Sequence, residues 1–469
     1  MVTLSGCTGP WRRLTADALN DKPNIIFIMT DDQGPWAFAA APDPDARTPG
    51  IDRLRSQSAR LTNCFVTTPV CSPSRASLMT SRYGTEVGIT DFIKSRRVGL
   101  DPAFATWPRI LADAGYATAL IGKWHLGDKD RYHPTLCGYT EFTGFRWGGR
   151  ASKDPEVEVN GRVRRIPGYT PDILTDYAID FIRRKKQGPF MMSLHYWAPH
   201  ASTVHRAPDG GHTWLPLSHA DYSKFENIDL KIPNPDYPNL DLPLVKRMMR
   251  EYLGSVASVD RNLARLLAVL DDLKLTDNTV VIFTSDNGYN VGHHAIEGKG
   301  NASWTLTDNR RERPNLYDNS LRVPTVIRWP NVIRPGTTVD QTVTFLDWFP
   351  TILAVAGVHV PKNQIIRGRN FLPLLKGRTV EWDNDLFVQY TMRGAGTMRA
   401  YRTTRWKLVR DFEHFIKDEL YDLVNDPAET INLIGSPDPR IQKIREALNE
   451  KLLQKMRSIN DPVLGQTQF

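Results

Sequence analysis

The chain has 469 residues, which is longer than one compact domain usually is, so we expect one large domain and one small one. Hydrophobic residues make up 41% and charged residues 24%, a balance typical of a folded globular protein that argues against disorder over most of the length. The net charge of +8 is spread along the chain instead of forming long basic runs, so it is compatible with an anionic small molecule or glycan as well as with nucleic acid.

Charged side chains interrupt the N-terminal part of the chain, leaving no apolar stretch long enough for the core of a secretory signal. No run of apolar residues anywhere is long enough for a transmembrane helix, and none is expected. LSGC at residues 4–7 nevertheless resembles the end of a bacterial lipoprotein signal whose start is missing, with coincidence as the alternative. We therefore interpret residues 1–22 as an N-terminal extension. The protein would be periplasmic, lipoprotein-anchored or secreted if an export signal has been lost, and cytoplasmic otherwise.

Apolar runs with strand character alternate with helical periodicity, starting with NIIFIMT at residues 24–30. The elements that follow are a helix after Thr48, a helix in WPRILADAG, a strand in YATALIG, a helix near residues 172–184, a strand in PFMMSLHYW, a helix over residues 242–273, and strands in NTVVIFTSDNG and VPTVIRWP. This rhythm predicts an α/β domain over residues 23–375, with a large, mostly parallel or mixed central sheet flanked by helices. Four short apolar runs and a closing helix over residues 439–457 then predict a small antiparallel sheet plus helix, a C-terminal α+β subdomain at residues 376–469.

Polar side chains follow several of the predicted strands. In open parallel sheets, ligands bind at the carboxyl ends of the strands, so we expect these side chains to meet in one crevice. Two connections, residues 146–170 and 201–243, are too long for simple turns and are expected to wall that crevice. The candidate residues at the strand ends are Asp31, Asp32, Lys123, His125, His195, His200, Asp286 and Asn287.

Two of these clusters have the composition of a metal site. Asp31 and Asp32 are adjacent carboxylates that repel each other unless a cation neutralises them. Asp286 and Asn287 add a carboxylate and an amide oxygen, which are ligands that calcium and magnesium accept. The alternative is that each pair merely caps a turn, a common role of Asp and Asn. Considered together, the two pairs favour a metal.

Cys71 precedes Ser72-Pro73-Ser74, a sequence that favours the start of a helix because proline suits the first turn. The free N–H groups of such a helix would face an anion near Cys71, and Arg75 lies about one turn further on. The alternative is a small buried cysteine in a helix cap. The four cysteines Cys7, Cys64, Cys71 and Cys137 show no zinc-binding spacing and do not imply a disulfide framework.

The stretch CSPSR at residues 71–75, followed by LMTSR at residues 78–82, resembles the signature of the type I sulfatases, in which a separate maturation enzyme oxidises the cysteine to formylglycine. PNIIFIMTDDQG, GKWHLG, APH, TSDNG, GKG and LRVPTVIRWP follow the order of that family, so the resemblance extends from about residue 23 to the C-terminus. One departure is Ser81, where the family usually has glycine. Another is the long stretch at residues 301–315, which is expected to shape substrate choice.

The resemblance implies an alkaline-phosphatase-like sulfatase fold and a role for each position. Hydrated formylglycine at residue 71 would supply the hydroxyl that attacks sulfur, and the cation would be Ca²⁺, with Mg²⁺ possible. The implied roles are metal binding by Asp31, Asp32, Asp286, Asn287 and residue 71, anion binding by Arg75 and Lys123, proton acceptance by His125, and contact with the sulfate and its bridging oxygen by His200 and Lys299.

The resemblance also implies a sulfated small-molecule or glycan substrate and no nucleic-acid partner, and the oligomeric state is not predicted. We interpret Trp197, Trp214 and Trp304 as faces on which a sugar could stack, His195 as a residue that packs or supports the site residues from behind, and His293 and His294 as residues that could line the pocket. Within the same superfamily, the alternative activity is that of a phosphodiesterase or phosphonate monoester hydrolase. An alternative of another class is an inactive protein that binds sulfated glycans, which requires Cys71 to remain a thiol.

Overall fold

The computed structural model describes residues 22–38, 45–149, 151–209 and 211–465. The LSGC motif therefore lies outside the described residues, as does most of the expected N-terminal extension. Across the described ranges, no helix has both the length and the apolar character needed to cross a membrane.

The strands are β1 (Asn24–Thr30), β2 (Ala59–Leu61), β3 (Cys64–Phe65), β4 (Ala117–Lys123), β5 (Glu141–Phe145), β6 (Glu156–Val159), β7 (Arg162–Arg165), β8 (Phe190–His195), β9 (Thr279–Ser285), β10 (Asn290–Val291), β11 (Ile296–Gly298), β12 (Asn301–Trp304), β13 (Glu312–Pro314), β14 (Val326–Arg328), β15 (Thr338–Val339), β16 (Val343–Thr344), β17 (Leu386–Met392), β18 (Gly396–Arg402), β19 (Trp406–Asp411) and β20 (Glu419–Asp422). The helices are α1 (Pro49–Ser56), α2 (Cys71–Thr80), α3 (Trp107–Asp113), α4 (Thr170–Lys185), α5 (His219–Glu226), α6 (Leu242–Asp272), α7 (Asp318–Leu321), α8 (Trp348–Val355), α9 (Leu372–Leu375) and α10 (Pro439–Ser458).

A large mixed sheet forms the centre of the molecule, with the strand order β15-β2-β14-β9-β1-β8-β4-β5-β6-β7. The strands from β9 through β1, β8 and β4 to β5 are parallel, whereas β14, β6 and β7 run antiparallel to their neighbours. Every residue of β1 is buried, as expected for a parallel strand covered on both faces. The predicted fold class, a mostly parallel or mixed α/β sheet, is confirmed.

The two faces of the sheet are covered by different helices. Along β1, Ile25, Phe27 and Met29 pack into a core shared with α2, α3 and α8. Ile26 and Ile28 point to the opposite face and pack with α1, α4 and α6. This alternation follows from the two-residue period of a strand, and it leaves the carboxyl ends of the parallel strands free to carry the polar side chains.

The C-terminal part forms the expected antiparallel sheet, in the order β17-β18-β19-β20, with α10 packed against it. This sheet adjoins the main part of the molecule, since the backbone N–H of Gln389 donates to the carbonyl of Thr67 at 3.0 Å. The boundary that we place after Leu375 stays a prediction.

Candidate active site

The carboxyl ends of the parallel strands carry the residues expected in the site. β1 ends directly before Asp31 and Asp32, and β9 ends directly before Asp286 and Asn287. Because β1 and β9 are parallel neighbours paired in register to their last residues, these four side chains lie side by side. Lys123 ends β4, which is separated from β1 only by β8. The crevice expected from the sequence is therefore present.

The oxygen atoms of this crevice fit a hard divalent cation. Ligand atoms of Asp31, Asp286 and Cys71 all lie within 4.8 Å of one another. Asp31 Oδ1 and Asn287 Oδ1 are buried and have no hydrogen-bond partner among the described residues. Buried polar atoms are usually satisfied, and leaving them unsatisfied costs free energy. Carboxylate and amide oxygens are the ligands that calcium and magnesium prefer, so a cation here would satisfy these atoms.

Cys71 lies at the first residue of α2, in the centre of this cluster, and is 3% exposed. Its Sγ lies 3.6 Å from Nζ of Lys299. Burial raises the pKa of the Cys71 thiol above its ordinary value, although the positive charges of Lys123 and Lys299 act in the opposite direction. An unmodified thiol here is therefore protonated at neutral pH and a poor nucleophile.

Arg75, one turn into α2, is fully buried and connects the helix to two strands. Its Nε donates to Asp286 Oδ2 at 2.9 Å, and its NH1 donates to the carbonyl of Lys123 at 2.9 Å. NH2 of the same guanidinium is buried and has no hydrogen-bond partner in the part of the chain that the structure describes. The side chain therefore has one donor left for an anion. His195, which the sequence assigned to packing, contacts Arg75 NH1 through Nδ1 at 3.4 Å.

Two lysines approach the carboxylates. Lys123 Nζ contacts Asp31 Oδ2, and Lys299 Nζ contacts Asp32 Oδ1. Burial opposes ionisation of both aspartates, but the positive charges of Lys123 and Lys299 outweigh it and lower the pKa of each. Asp286 differs, because burial and the negative charge of Asp31 raise its pKa. Arg75 pairs with this third carboxylate, and a cation would add further positive charge that favours its ionised form.

His125 is 4% exposed and has a left-handed backbone, with φ of 55°. Burial, helped by the positive charge of Lys123, lowers the pKa of His125 well below its ordinary value. The ring is therefore neutral at pH 7, and its buried Nδ1 has no hydrogen-bond partner within the described ranges. Gly148 packs directly on this ring, and a Cβ at residue 148 would overlap it. The arrangement leaves His125 able to accept a proton.

His200 lies at the rim of the cluster and is about one-fifth exposed. Its Nδ1 donates to the carbonyl of Ala201 at 2.7 Å, and its Nε2 lies 3.6 Å from Asp32 Oδ2. Burial lowers the pKa of His200, although the negative charge of Asp32 opposes the shift. His200 and Lys299 therefore face the same carboxylate from two sides, as expected for residues that share one bound group.

The sulfatase family model matches residues 23–358 of the chain, which is more than half of its length. The chain belongs to the sulfatase family. A second family model, described as N-sulphoglucosamine sulphohydrolase, C-terminal, matches residues 304–458.

Individual relatives agree with this assignment. The sulfatase is 28% identical to N-acetylglucosamine-6-O-sulfatase of Bacteroides thetaiotaomicron, over 98% of this chain and 90% of the relative. It resembles a solved structure in complex with its substrate D-glucosamine-2-N,6-O-disulfate, with a TM-score of 0.77 and 26% identity, covering 94% of this chain and 99% of the other. It also shares its fold with a phosphonate monoester hydrolase of Agrobacterium radiobacter, with a TM-score of 0.68 and 21% identity over 93% and 96% of the two chains.

Two cavities meet at the centre of the sulfatase site, and both border His200 and Lys299. The larger, of about 360 Å³, extends from Cys71 and His125 towards the loops of residues 92–94 and 147–149. The smaller, of about 160 Å³, extends towards residues 201–206 and 297–303. The two long connections expected to wall the pocket both contribute, and so does the stretch at residues 301–315, through Asn301 and Ser303.

The proposed stacking tryptophans are wrong as pocket residues. Trp197 and Trp214 are only 2% and 1% exposed, because both pack into the interior behind the site. Trp304 lines neither cavity and packs instead under the guanidinium of Arg313, 4.6 Å from the ring centroid.

The two candidate pocket histidines also lie elsewhere. The ring of His293 lies 4.9 Å from that of Trp36, and the ring of His294 stacks on Tyr317 at 3.7 Å. The aromatic residues at the larger cavity are Phe92 and Trp147, which sequence analysis missed. Trp147 does fall in a connection that was expected to wall the pocket, whereas no signal identified Phe92.

Proposed function

We propose that this sulfatase removes sulfate from a carbohydrate sulfate monoester, with residue 71 as formylglycine and Ca²⁺ as the cation. The observation that carries the proposal is the buried cluster around residue 71, in which carboxylates, lysines and an arginine surround side-chain atoms that have no partner of their own. The relatives named for N-acetylglucosamine 6-O-sulfate and glucosamine disulfate support a carbohydrate as the leaving group.

The cation and the modified residue have separate tasks. Asp31, Asp32, Asp286 and Asn287 would hold the cation beside residue 71, where it would supply positive charge to the oxygens of the sulfate. Formylglycine, once hydrated, supplies the hydroxyl nucleophile that a buried, protonated thiol does not. The position of residue 71 at the start of α2 directs the N–H groups of the first turn towards the bound anion.

The side chains of this chain then bind and orient the sulfate group. Arg75 has a free donor at NH2, and Lys123 and Lys299 add positive charge in a site from which water is largely excluded. Fixed donors in such an environment stabilise developing negative charge more strongly than they do in water. These three residues would therefore lower the barrier to S–O cleavage.

Two proton transfers complete the reaction. Burial alone would lower the pKa of Lys299, but the negative charges of Asp32 and of its neighbours raise it well above its ordinary value, so Nζ carries a proton to offer to the departing sugar oxygen. His200 would orient that oxygen from the opposite side. His125, neutral and with an Nδ1 that has no partner among the described residues, would accept the proton of the second hydroxyl of hydrated residue 71, so that the bond from that carbon to the sulfate oxygen breaks, sulfate leaves and the aldehyde re-forms.

The test is a parallel assay of esters with one shared leaving group: nitrophenyl sulfate, nitrophenyl phosphate and the nitrophenyl ester of phenylphosphonate. We expect the sulfate to be the best substrate by kcat/KM, and 6-O-sulfated N-acetylglucosamine to be hydrolysed as well. Faster hydrolysis of the phosphonate would favour the alternative activity of the same superfamily. Binding of sulfated glycans without turnover of any ester would favour the inactive binding protein.

A further inference from the structure

We infer that Lys94, at the mouth of the larger cavity, binds a second anionic group of the substrate, a carboxylate or another sulfate, next to the sulfate that is removed. This inference rests on the proposed function and specifies its substrate class as a sugar with at least two negative charges. It assigns the larger cavity to the sugar ring and Lys94 to substrate specificity.

The described residues that line the larger cavity include no aspartate or glutamate. It is lined by Cys71, His125, His200 and Lys299, and by Phe92, Ile93, Lys94, Trp147 and small polar or glycine residues. The acid nearest in sequence, Asp91, does not line the cavity. Its Oδ1 accepts hydrogen bonds from the backbone of Phe92 at 2.8 Å and from the hydroxyl of Tyr390 at 3.3 Å. The lining of the cavity is therefore cationic and largely aromatic, although the charges of Asp91 and Lys94 attract each other.

Lys94 is exposed and makes no ion pair with a carboxylate of the described chain. Its Nζ lies 4.1 Å from the centroid of the Phe92 ring, so the ammonium group is held at the cavity mouth by an aromatic face that does not neutralise it. Arg96, two residues further on, differs in that it pairs with Asp128 at 3.1 Å. Lys94 is thus the cation of this loop that lines the larger cavity.

The smaller cavity is lined by charges of both signs. Two carboxylates, those of Asp32 and Glu297, border it, together with the cations Lys299 and Arg206. Glu297 contacts His212 Nδ1, but burial lowers the pKa of His212 to about 4, so the ring is neutral at pH 7 and does not cancel the negative charge. The carboxylates offset the cations on this side, so an added anion gains less here than at the larger cavity, whose lining includes no carboxylate among the described residues. The second negative charge of a substrate should face Lys94.

The size and lining of the larger cavity agree with a single sugar unit. A volume of about 360 Å³ lies at the lower end of the roughly 300–1,000 Å³ found for small-molecule sites. Trp147 and Phe92 provide apolar faces for the ring. Lys94 is exposed, whereas Phe92 and Trp147 are half-buried and Cys71 is buried, so Lys94 lies on the solvent side of the cavity and can meet a substituent other than the sulfate at residue 71.

The test compares kcat/KM of the full-length protein on four substrates. Nitrophenyl sulfate and 6-O-sulfated N-acetylglucosamine carry one anionic group each. Glucosamine 2-N,6-O-disulfate and a 6-O-sulfated disaccharide containing a uronate carry more than one, and the wild type should have a higher kcat/KM on these two. Lys94→Ala should lower kcat/KM for those two by roughly threefold to tenfold, through KM more than through kcat, as expected for a partly exposed charge pair remote from the reacting bond. The singly charged substrates should be unaffected.

Three variants sharpen the test. Lys94→Arg should keep the preference for substrates with more than one anionic group, and Lys94→Glu should reverse that preference. Lys129→Ala removes the same charge from an exposed position outside both cavities and should change nothing. If Lys94→Ala lowered kcat/KM on the disulfate alone, the group that Lys94 binds would be a second sulfate. If it lowered kcat/KM on the uronate-containing disaccharide alone, that group would be a carboxylate.

Equal losses on all four substrates, or no loss on either multiply charged one, would overturn the role of Lys94. That outcome is distinct from failure of the proposed function, which would appear as a wild-type protein that hydrolyses none of the sugar sulfates.

Discussion

This sulfatase contains two buried clusters, each built from both positive and negative side chains. They differ in how many of their buried polar atoms have a hydrogen-bond partner. The C-terminal ion cluster consists of Asp318, Arg402, Lys407 and Glu429. Lys407 bridges Glu429 at 2.6 Å and Asp318 at 3.0 Å, Arg402 contacts Asp318 at 2.9 Å, and the N–H of Asp318 donates to Glu429 at 2.6 Å.

Among the described residues, none of these four side chains has a buried polar atom without a partner, whereas the site around Cys71 has several such atoms. A buried network that is fully satisfied stiffens the structure, and one with unpartnered atoms has a free-energy cost that a ligand can remove. The C-terminal ion cluster therefore holds α7 and its flanking segments against the C-terminal sheet, whereas the cluster around Cys71 is arranged for a cation and an anion.

Removing the cation should abolish activity and lower the stability of the protein. Treatment with a strong chelator should abolish turnover, and added Ca²⁺ should restore it. Because a ligand that binds only the native state stabilises it, Ca²⁺ at about 100 times its Kd should add about 2.7 kcal/mol to the free energy of unfolding. Activity assays and thermal unfolding before and after calcium addition provide the measurement. Full activity of thoroughly metal-free protein would contradict the assignment of Asp31, Asp32, Asp286 and Asn287 as ligands.

Lys299→Ala should depend on the leaving group. A sugar alkoxide needs a proton as it departs, so cleavage of a sugar sulfate should slow by about 10²–10⁴-fold, whereas nitrophenyl sulfate, with its better leaving group, should lose much less. His200→Ala should show the same pattern with a smaller loss. The measurement is single-turnover alcohol release on both substrates.

His125→Ala is the matched control for leaving-group dependence. Because the proton that His125 accepts belongs to sulfate release, which is common to all substrates, this variant should slow sulfate release equally on both substrates while the first alcohol still departs. If Lys299→Ala slowed alcohol release by the same factor on both substrates, Lys299 would only position the anion.

Lys407→Met should have the converse effect in the C-terminal ion cluster. It leaves Asp318 and Glu429 buried without their shared cation, which should destabilise the protein by about 3–5 kcal/mol. The value of kcat per folded molecule should stay within about twofold of wild type, since the cluster touches no reacting group. Denaturant unfolding combined with active-site titration measures both quantities. Lys417→Met, on an exposed residue of the same subdomain, should change neither.

The smallest effect is the pH dependence of stability that Glu429 contributes. Burial, with the negative charge of Asp318, raises the pKa of Glu429 from 4.5 to about 7, although Lys407 opposes the shift. A carboxyl group whose pKa is raised by folding stabilises the protein below its unfolded pKa, and this stabilisation is lost as the pH rises through the folded pKa. The contribution of Glu429 to the wild-type Tm should therefore fall between about pH 4.5 and pH 7, and Glu429→Gln should flatten that slope by a few degrees. Parallel slopes for the two proteins would show that Glu429 does not titrate in this window.

The sequence predicted the parts of the molecule that depend on local pattern. Apolar runs that end in polar pairs located β1 and β9, and parallel neighbours in register necessarily place Asp31 beside Asp286. The helix start at Cys71 followed from Pro73 and the signature around it. These features could be read because strand period, helix capping and motif spacing are all encoded within a few residues.

The cavity walls could not be predicted in the same way. Trp197 follows a strand and looked exposed, yet the fold turns its ring inward, where it stacks on His200. Lys94 and Trp147 come from loops without periodicity, and only the packing of the whole chain brings them to one cavity. Substrate recognition therefore depends on long-range contacts, whereas the chemistry is visible locally.

We propose that residue 71 acts as formylglycine in a sulfate ester hydrolase. The mass of the peptide that contains residue 71 distinguishes this aldehyde from an unmodified cysteine. Native protein should be digested and its turnover of nitrophenyl sulfate measured on the same preparation. We expect an aldehyde at residue 71, with a specific activity proportional to the fraction converted and none in Cys71→Ala. A fully active preparation in which residue 71 is only the free thiol would contradict the account.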